Sequence, residues 1–431
     1  MNKLFEQRVK EYFNEESEKY LELLNKKPTH GFFINTLKGN KEDILNLLDF
    51  KYEDSYLNPN AYYHDYESIG KCKSYELGLI YPQDTESSYS STFINDIDIN
   101  LIVDLCAAPG GKTINIINKY KDALCVSNDV NSKRVGELSK NLERLGLTNS
   151  IITSKNPKDL AKELKGNVDL VILDAPCSGE GMIRKYPEIL DDYSLANIES
   201  LAKIQEGLLE NAYDLVRKDG YILYSTCTYA FEEDENQISN FLNKHNDIEL
   251  IKLSSKNNYS KLEGTIKLCP LNNTEGQFIC LLKRTSDNEI VKIKYLKPIK
   301  NDIVDKFISS NLNISDYYLY KVNDNFFMSI NPMIALGGGV IRSGIYLGEL
   351  KKNRFEPAHN LYRSIYLKDA FKYKYDLNDD EYDKYIKGLE LSVDLDDNYY
   401  LLTYKDYSLG FGKVSNKTMK NKYPKGLRRV C

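Results

Sequence analysis

Between residues 100 and 284 the chain alternates short, almost wholly apolar runs with longer segments of helical periodicity. Strands without polar alternation are buried on both faces, as they are in a parallel sheet covered by helices. The pattern therefore predicts an α/β fold built on a doubly wound, mostly parallel sheet. The apolar runs are NLIVDL (100–105), ALCVSND (123–129), VDLVILDAP (168–176), YILYSTCT (221–228) and QFICLLKR (277–284).

The segments before residue 100 and after residue 284 lack this alternation and suggest two further domains. Residues 1–27 have the spacing of one amphipathic helix, and 31–48 indicates a strand, a turn and a second helix. An irregular, Tyr-rich segment follows to about Ser91, and a polar linker after Thr285 leads to short strand-like segments. The predicted domains are 1–95, 96–285 and 286–431.

Composition excludes several classes of protein. No apolar run approaches the roughly 20 residues that span a bilayer, and the first residues lack the apolar region of a signal peptide. The eight cysteines form no C-x-x-C pair and there are only four histidines, so no metal site is predicted. We expect a cytoplasmic monomer that does not bind membranes. The net charge of −5 does not by itself suggest a nucleic-acid binder.

The first chemical motif is DLCAAPGGKT, which begins at Asp104 where the first strand ends. A Gly-rich turn at this place lets a ligand approach the backbone at a helix N-terminus. A P-loop would need Gly where Cys106 stands. The next strand ends in Asp129, an acid that can accept both ribose hydroxyls of a nucleoside. These residues favour a nucleoside-type ligand over a purely structural turn.

Two cysteines follow the ends of later strands. Cys177 lies in DAPCSGEG (174–181) and Cys227 in YSTCT (224–228). A single strand-end cysteine is more often a small apolar filler. If the two strands are neighbours, however, both thiols face one pocket beside Asp174 and the nucleoside site, and catalysis becomes the better interpretation.

Together, DLCAAPGGKT, DAPCSGEGMIRKYPE and YSTCTY resemble the Sun-type RNA cytosine-C5 methyltransferases. YELGLIYPQDTESS (75–88) resembles the family segment before the cofactor domain. NRFEPAHNLYRS (353–364) and YSLGFGKVSNKTMKNKYPKGLRR (407–429) resemble the C-terminal part of the bacterial RsmF-type enzymes, which modify 16S ribosomal RNA. The resemblance implies a Rossmann-like S-adenosylmethionine-dependent core, an α+β N-terminal domain and a PUA-like C-terminal region.

The resemblance also implies roles for particular residues. Cys227 would attack C6 of cytosine as the nucleophile, Cys177 would help to remove the C5 proton and release the enzyme, and Asp174 would bind the base edge. DNA cytosine methyltransferases use the Pro-Cys cysteine as nucleophile, so the presence of both cysteines indicates RNA. The implied S-adenosylmethionine-binding residues are Cys106, Ala107, Ala108, Pro109, Gly110, Gly111, Lys112, Asp129, Asn156 and Asp174. Among them, Asn156 stands at the family position that contacts the adenine amine.

RNA contacts are predicted at two places. Arg184 and Lys185 follow the Pro-Cys loop, and a basic stretch without acids runs from Lys413 to Arg429. Beside an RNA-modifying core, basic residues suit phosphate binding. The alternatives to a 16S rRNA enzyme are a tRNA cytosine-C5 methyltransferase and a non-catalytic ribosome-assembly factor. The basic residues expected to contact RNA are Arg184, Lys185, Lys417, Lys420, Lys422, Lys425 and Arg428.

Overall fold

The computed structural model describes residues 2–95, 97–352 and 354–429. Asn353, the first residue of the NRFEPAHNLYRS segment, and Cys431 lie outside the described residues. The described residues form four sheets of four, nine, four and five strands. Within these ranges, no helix has the length and apolar character needed to cross a membrane.

The N-terminal region is a small antiparallel sheet with short helices around it, in the strand order β2-β3-β1-β4. The prediction of one helix over 1–27 is wrong, because Asn14 adopts φ 50° and breaks it in two. The segment predicted to be irregular holds three of the strands, which are too short to show a period. The elements are α1 Lys3–Phe13, α2 Ser17–Leu23, β1 Gly31–Ile34, α3 Lys41–Leu45, β2 Tyr52–Asp54, β3 Ala61–His64, α4 Lys73–Glu76, β4 Ile80–Pro82 and α5 Thr85–Tyr89.

The central region confirms the predicted doubly wound sheet. Its strands run in the order β10-β12-β9-β8-β5-β6-β7, and the steps from β9 to β7 are parallel. Strand β11 pairs with β12. The elements are β5 Leu101–Asp104, α6 Gly111–Lys119, β6 Leu124–Asn128, α7 Ser132–Leu145, β7 Ser150–Thr153, α8 Pro157–Leu164, β8 Val168–Asp174, α9 Leu195–Leu215, β9 Val216–Thr226, α10 Glu235–Lys244, β10 Ile248–Ile251, β11 Ile266–Leu268 and β12 Gln277–Arg284.

Alternate residues of each central strand enter two separate cores. Val103 of β5 packs in the cluster that contains Leu209 of α9. Its neighbour Ile102 packs on the other face, in the cluster that contains Leu138 of α7. Because helices cover both faces, every position of β5, β6 and β7 is buried, which explains the unbroken apolar runs. Helix α7 ends at Gly146, which takes the left-handed conformation (φ 77°) typical of a helix C-terminus.

The C-terminal region contributes two smaller sheets and extends the central one. Strand β15 pairs antiparallel with β7, so the central sheet takes its edge strand from the far end of the chain. The last sheet has the order β18-β20-β21-β22-β19. The elements are α11 Asp302–Asn311, β13 Tyr318–Val322, β14 Asn325–Ser329, β15 Val340–Ser343, β16 Ile345–Lys351, β17 Arg354–Pro357, α12 His359–Arg363, β18 Lys374–Leu377, α13 Asp379–Ile386, β19 Leu391–Ser392, β20 Tyr399–Tyr404, β21 Tyr407–Ser415 and β22 Thr418–Asn421.

One buried guanidinium joins the three regions. Arg363 of α12 donates from Nη1 to the carbonyls of Ser408 and Leu409, both at 3.0 Å. Its Nη2 donates to the carbonyl of Glu76 at 2.8 Å and to that of Arg144. Burial lowers the pKa of Arg363 to about 10, so the group remains charged at neutral pH. A planar fork of donors therefore holds backbone from all three regions at one point.

Replacing Arg363 should destabilise the whole assembly. Arg363→Ala removes a hydrogen-bond donor from four carbonyls, two of them in fully buried bonds, and we expect the free energy of unfolding to fall by about 3 kcal/mol. The matched control is Arg354→Ala, because this side chain is 75% exposed and pairs with the nearby surface residue Glu356. The control should change stability by less than about 0.5 kcal/mol. Equal unfolding midpoints for the two variants in a thermal melt would contradict this role.

Candidate active site

The Gly-rich loop between β5 and α6 is fastened by the carboxylate that ends the strand. Asp104 accepts a hydrogen bond from Thr113 Oγ1 at 2.5 Å and one from the Cys106 N–H at 3.2 Å. Burial raises the pKa of Asp104 to about 7. Gly110 adopts φ 120°, a conformation that side chains rarely allow. The loop therefore turns back over the strand ends, as DLCAAPGGKT predicted.

Asp129 presents a buried oxygen just after β6. Its Oδ1 accepts the Asn131 N–H at 2.9 Å. Its Oδ2 lies 3.3 Å from Arg134 Nη1, yet it receives no hydrogen bond from the described part of the chain. A buried carboxylate oxygen without a donor is costly unless something supplies one. The arrangement fits a ligand that carries hydroxyl groups.

A cavity of about 650 Å³ connects this acid to both cysteines. Asp129, Asp174, Cys177 and Cys227 all line it. Among the predicted loop residues, Cys106, Ala108 and Lys112 line it too, whereas Ala107, Pro109 and Gly111 face a neighbouring cavity of about 660 Å³. The strand ends thus bring the predicted cofactor and catalytic residues to one cleft, consistent with the general placement of ligands in open α/β sheets.

The position of Asn156 does not match the adenine contact that was predicted for it. Its side chain is exposed, and its Oδ1 accepts the Lys158 N–H at 3.0 Å as the N-terminal cap of α8. Its neighbour Pro157 lines the cavity. The placement gives the adenine contact no support, because the amide oxygen already serves the helix.

The two cysteines meet as the sequence predicted. Strands β8 and β9 are parallel neighbours, with Asp174 opposite Ser225. The Sγ atoms of Cys177 and Cys227 are 3.2 Å apart, and the Cys227 N–H donates to Cys177 Sγ at 3.4 Å. The neighbouring thiol and burial together raise the pKa of Cys177.

Asp174 is oriented by two donors that sequence reasoning did not pair with it. Lys112 Nζ lies 2.8 Å from its Oδ1, and Ser225 Oγ donates to the same oxygen at 2.9 Å. Lys112 is almost fully buried, whereas the Asp174 side chain remains 40% exposed. Lys112 also donates to Ser87 Oγ, a residue of the N-terminal region. The carboxylate is thus held from behind and open toward the cleft.

Some cavity residues were missed from the sequence. Asp84 and Ser87 line the cavity and belong to YELGLIYPQDTESS (75–88), a segment whose resemblance to the family implies no role for a particular residue. Gly276 lies in a turn that carries no recognisable motif. A Cβ on Gly181 would lie 2.4 Å from Gly276 Cα and 2.8 Å from the Cys227 carbonyl oxygen. The two glycines therefore let the Cys177 loop approach both the Cys227 loop and the segment that precedes β12.

The prediction that Arg184 contacts RNA is corrected by the structure. Its guanidinium is buried and bonds both carboxylate oxygens of Glu275, at 2.9 and 2.6 Å. Because its side chain is only 4% exposed and pairs with Glu275, Arg184 acts as an internal brace and is not placed to bind phosphate. Lys185 pairs with Asp84 at the wall of the 660 Å³ cavity.

The C-terminal basic residues divide into two groups. Lys417 pairs with Asp394, and Arg428 donates to the Tyr423 carbonyl at 3.2 Å. The other three predicted contacts are exposed on or after β22, namely Lys420, Lys422 and Lys425. Because these three lysines are exposed, phosphate groups can reach them. RNA contact remains a prediction for them.

Four family models match in sequence along the chain. Residues 1–85 match the N-terminal domain of 16S rRNA methyltransferase RsmF and 92–283 match 16S rRNA methyltransferase RsmB/F. Residues 309–365 match the first C-terminal domain of RsmF rRNA methyltransferase and 372–429 match its PUA domain. A tRNA (cytosine(49)-C(5))-methyltransferase of Pyrococcus abyssi is 30% identical over 292 residues, covering 63% of this chain and 93% of the relative. The chain belongs to the RsmB/F family.

Other relatives agree with this membership. A ribosomal RNA small subunit methyltransferase F of Psychromonas ingrahamii is 26% identical over 395 residues, covering 84% of this chain and 81% of the relative. A solved methyltransferase homologue from Pyrococcus horikoshii is 27% identical with a TM-score of 0.58, covering 66% of this chain and 96% of that one. The predictions of an S-adenosylmethionine-dependent RNA cytosine-C5 methyltransferase and of a PUA-like C-terminal region are confirmed.

The contact between the cysteine loops should be necessary for methyl transfer. Gly181→Ala places a methyl group against Gly276 and the Cys227 carbonyl, so the loops must separate, and we expect the rate to fall about 100-fold. Cofactor binding, measured by calorimetry, should not change. The control is Gly207→Ala on α9, where a Cβ meets nothing within 4 Å. A wild-type rate for Gly181→Ala would show that the close approach is dispensable.

Proposed function

We propose that this enzyme methylates C5 of a cytosine in 16S ribosomal RNA of the small subunit, in the cytoplasm, through a covalent cysteine adduct. The observation that carries the proposal is the 3.2 Å contact between Cys177 Sγ and Cys227 Sγ in the cavity that also holds Asp129 and Asp174. A binding protein that only assembles ribosomes has no use for two thiols in contact at such a place.

The residues present fit S-adenosylmethionine. The buried Asp129 oxygen that lacks a donor suits the two ribose hydroxyls, and the loop Cys106–Lys112 provides backbone around the remainder. When bound, S-adenosylmethionine supplies an electrophilic methyl group. Lys112, the last residue of this loop, pairs with Asp174. Both line the same cavity as the two cysteines, so the carboxylate borders both the cofactor and the target base.

The chemistry assigned to the cysteines follows from the electronic structure of cytosine. The Cys227 thiolate adds to C6, which forms an S–C6 bond and moves the C5=C6 electron pair onto C5. C5 then takes the methyl group. Cys177 accepts the C5 proton, the double bond re-forms, and the S–C6 bond breaks to free Cys227. Asp174 hydrogen-bonds the N3/N4 edge and stabilises the charge that develops during attack.

We further propose that domains 1–95 and 286–431 flank the catalytic domain 96–285 and bind the RNA around it. The exposed Lys420, Lys422 and Lys425 support a phosphate-binding role for the C-terminal domain. A target cytosine within a duplex must be turned out of the stack to reach the cavity. Because the core sheet also includes β15, the third domain is anchored against the second.

The substrate is tested by tritium release from [5-³H]cytosine. We expect release from small-subunit ribosomal RNA, and bisulfite mapping of ribosomal RNA from cells with and without the protein should locate the site. The likeness to the tRNA enzyme of Pyrococcus abyssi makes tRNA the second candidate, and DNA serves as the negative control. Release from tRNA alone would overturn the 16S assignment, and release from none would overturn catalysis.

The roles proposed for the two cysteines predict opposite effects of their replacement on the covalent RNA adduct. Cys177→Ala should accumulate a covalent RNA adduct, because attack proceeds while release stalls. Cys227→Ala should form neither product nor adduct. The control is Cys280→Ala, a buried thiol on β12 next to β9, which should behave as wild type. An adduct with Cys227→Ala on a denaturing gel would reverse the assignment.

A further inference from the structure

Two buried carboxylates lie behind the cysteines and do not line the cavity described above. Glu180 and Glu233 both have 0% exposure. Taking a carboxylate out of water costs several kcal/mol unless charges or donors compensate it. Apolar side chains of similar volume would stabilise the core at lower cost. The hydrogen bonds of these two carboxylates therefore indicate a role other than stability.

Glu180 belongs to the Cys177 loop but holds the other loop. Its Oε2 accepts a hydrogen bond from Thr228 Oγ1 at 3.1 Å and one from the Tyr229 N–H at 3.0 Å. These are the first two residues after Cys227. The carboxylate therefore fixes the backbone that carries the nucleophile.

Glu233 provides the reverse connection. It follows the Cys227 strand, yet its carboxylate accepts the N–H of Ser178, the residue after Cys177, at 3.0 Å. Gln205 Nε2 of α9 donates to the Glu233 carboxylate at 2.7 Å and to the Pro176 carbonyl, just before Cys177, at 2.8 Å. The backbone on both sides of Cys177 is thus held.

A direct hydrogen bond between two hydroxyl groups also joins the two cysteine loops. Ser178 Oγ and Thr228 Oγ1 are 2.7 Å apart. Each cysteine is therefore followed by a hydroxyl that touches the other hydroxyl, and each loop is bound by a carboxylate from the opposite loop. The spacing between the sulfur atoms depends on both carboxylates, since neither loop can shift without breaking bonds to the other.

The N-terminal region participates in the same network. Tyr12 OH of α1 donates to Glu180 Oε1 at 3.1 Å, and Tyr193 OH donates to the same oxygen. Arg8 Nε lies 3.9 Å from that oxygen and the guanidinium also pairs with Glu232. The position of α1 is thereby linked to the Cys177 loop.

We propose that Glu180 and Glu233 are positioning residues that hold Cys177 and Cys227 at the spacing that release of the methylated base requires. The proposal rests on the function proposed above. Neither residue touches substrate in this role, and each acts through the backbone of the opposite cysteine loop. Misplacement of a catalytic group by about 1 Å costs about 100-fold in rate.

The main test uses Glu233→Gln. The Ser178 N–H lies within hydrogen-bond distance of both Glu233 oxygens, at 3.0 and 3.3 Å. A glutamine there brings its NH₂ against this N–H in either orientation, so the Cys177 loop should shift. We expect kcat to fall about 100-fold, with the KM for S-adenosylmethionine unchanged and covalent RNA adduct accumulating. Rates are normalised to the folded fraction, measured by titration with S-adenosylmethionine.

Glu180 allows a test by conservative rescue. Glu180→Gln can keep its oxygen toward Thr228 and Tyr229 while its NH₂ donates to tyrosine oxygens, so it should retain most activity. Glu180→Ala removes the acceptor and should lose rate as Glu233→Gln does. The matched control is Glu235→Gln, a buried carboxylate that pairs with Lys267 at 2.7 Å. It should lose stability without accumulating adduct.

A second measurement does not depend on activity. A short reagent that alkylates two thiols should bridge Cys177 and Cys227 in the native wild-type protein, as read by mass spectrometry, and bridge them less in Glu233→Gln and Glu180→Ala. Normal bridging and a normal adduct lifetime in both variants would overturn the positioning role. If bridging falls but the wild type methylates no RNA, the positioning stands and the proposed function fails.

Discussion

The parallel pairing of β8 with β9 is the constraint on which the site depends. Asp174 and Ser225 are opposite each other, so the chain leaves both strands at one edge and each loop carries a cysteine there. The thiols of Cys177 and Cys227 are far apart in the sequence. They meet because the buried apolar residues of both strands fix the register between β8 and β9. A sheet that slipped by one residue would turn these side chains away from each other.

The regions around the sheet are held by polar bonds to backbone as well as by apolar packing. Arg363 binds carbonyls from three parts of the chain, and Asn35 donates to the carbonyls of Gly78 and Leu145. Such bonds satisfy carbonyls that would otherwise be buried alone. They place the N-terminal residues Asp84 and Ser87 at the wall of the cavity, so the cleft belongs to more than one region.

The sequence predicted the fold and the site best where a short local pattern of residues determines the structure. Apolar runs identified the central strands, and strand-end motifs identified the cofactor loop and the pair Cys177 and Cys227. It was least informative where the partner lies far along the chain. Nothing near Arg184 indicates its bond with Glu275, 91 residues away. Short strands such as β2, with three residues, contain too little repetition to show a period.

Strand β15 has a consequence for biosynthesis. It covers the edge of β7 with residues that begin 187 positions after that strand ends (340 − 153). During translation the growing chain therefore presents an unpaired sheet edge while most of the C-terminal region is still unmade. Open edges of this kind template association between chains. The β7 edge can gain this partner only after residues 340–343 have been synthesised, in the last third of the chain.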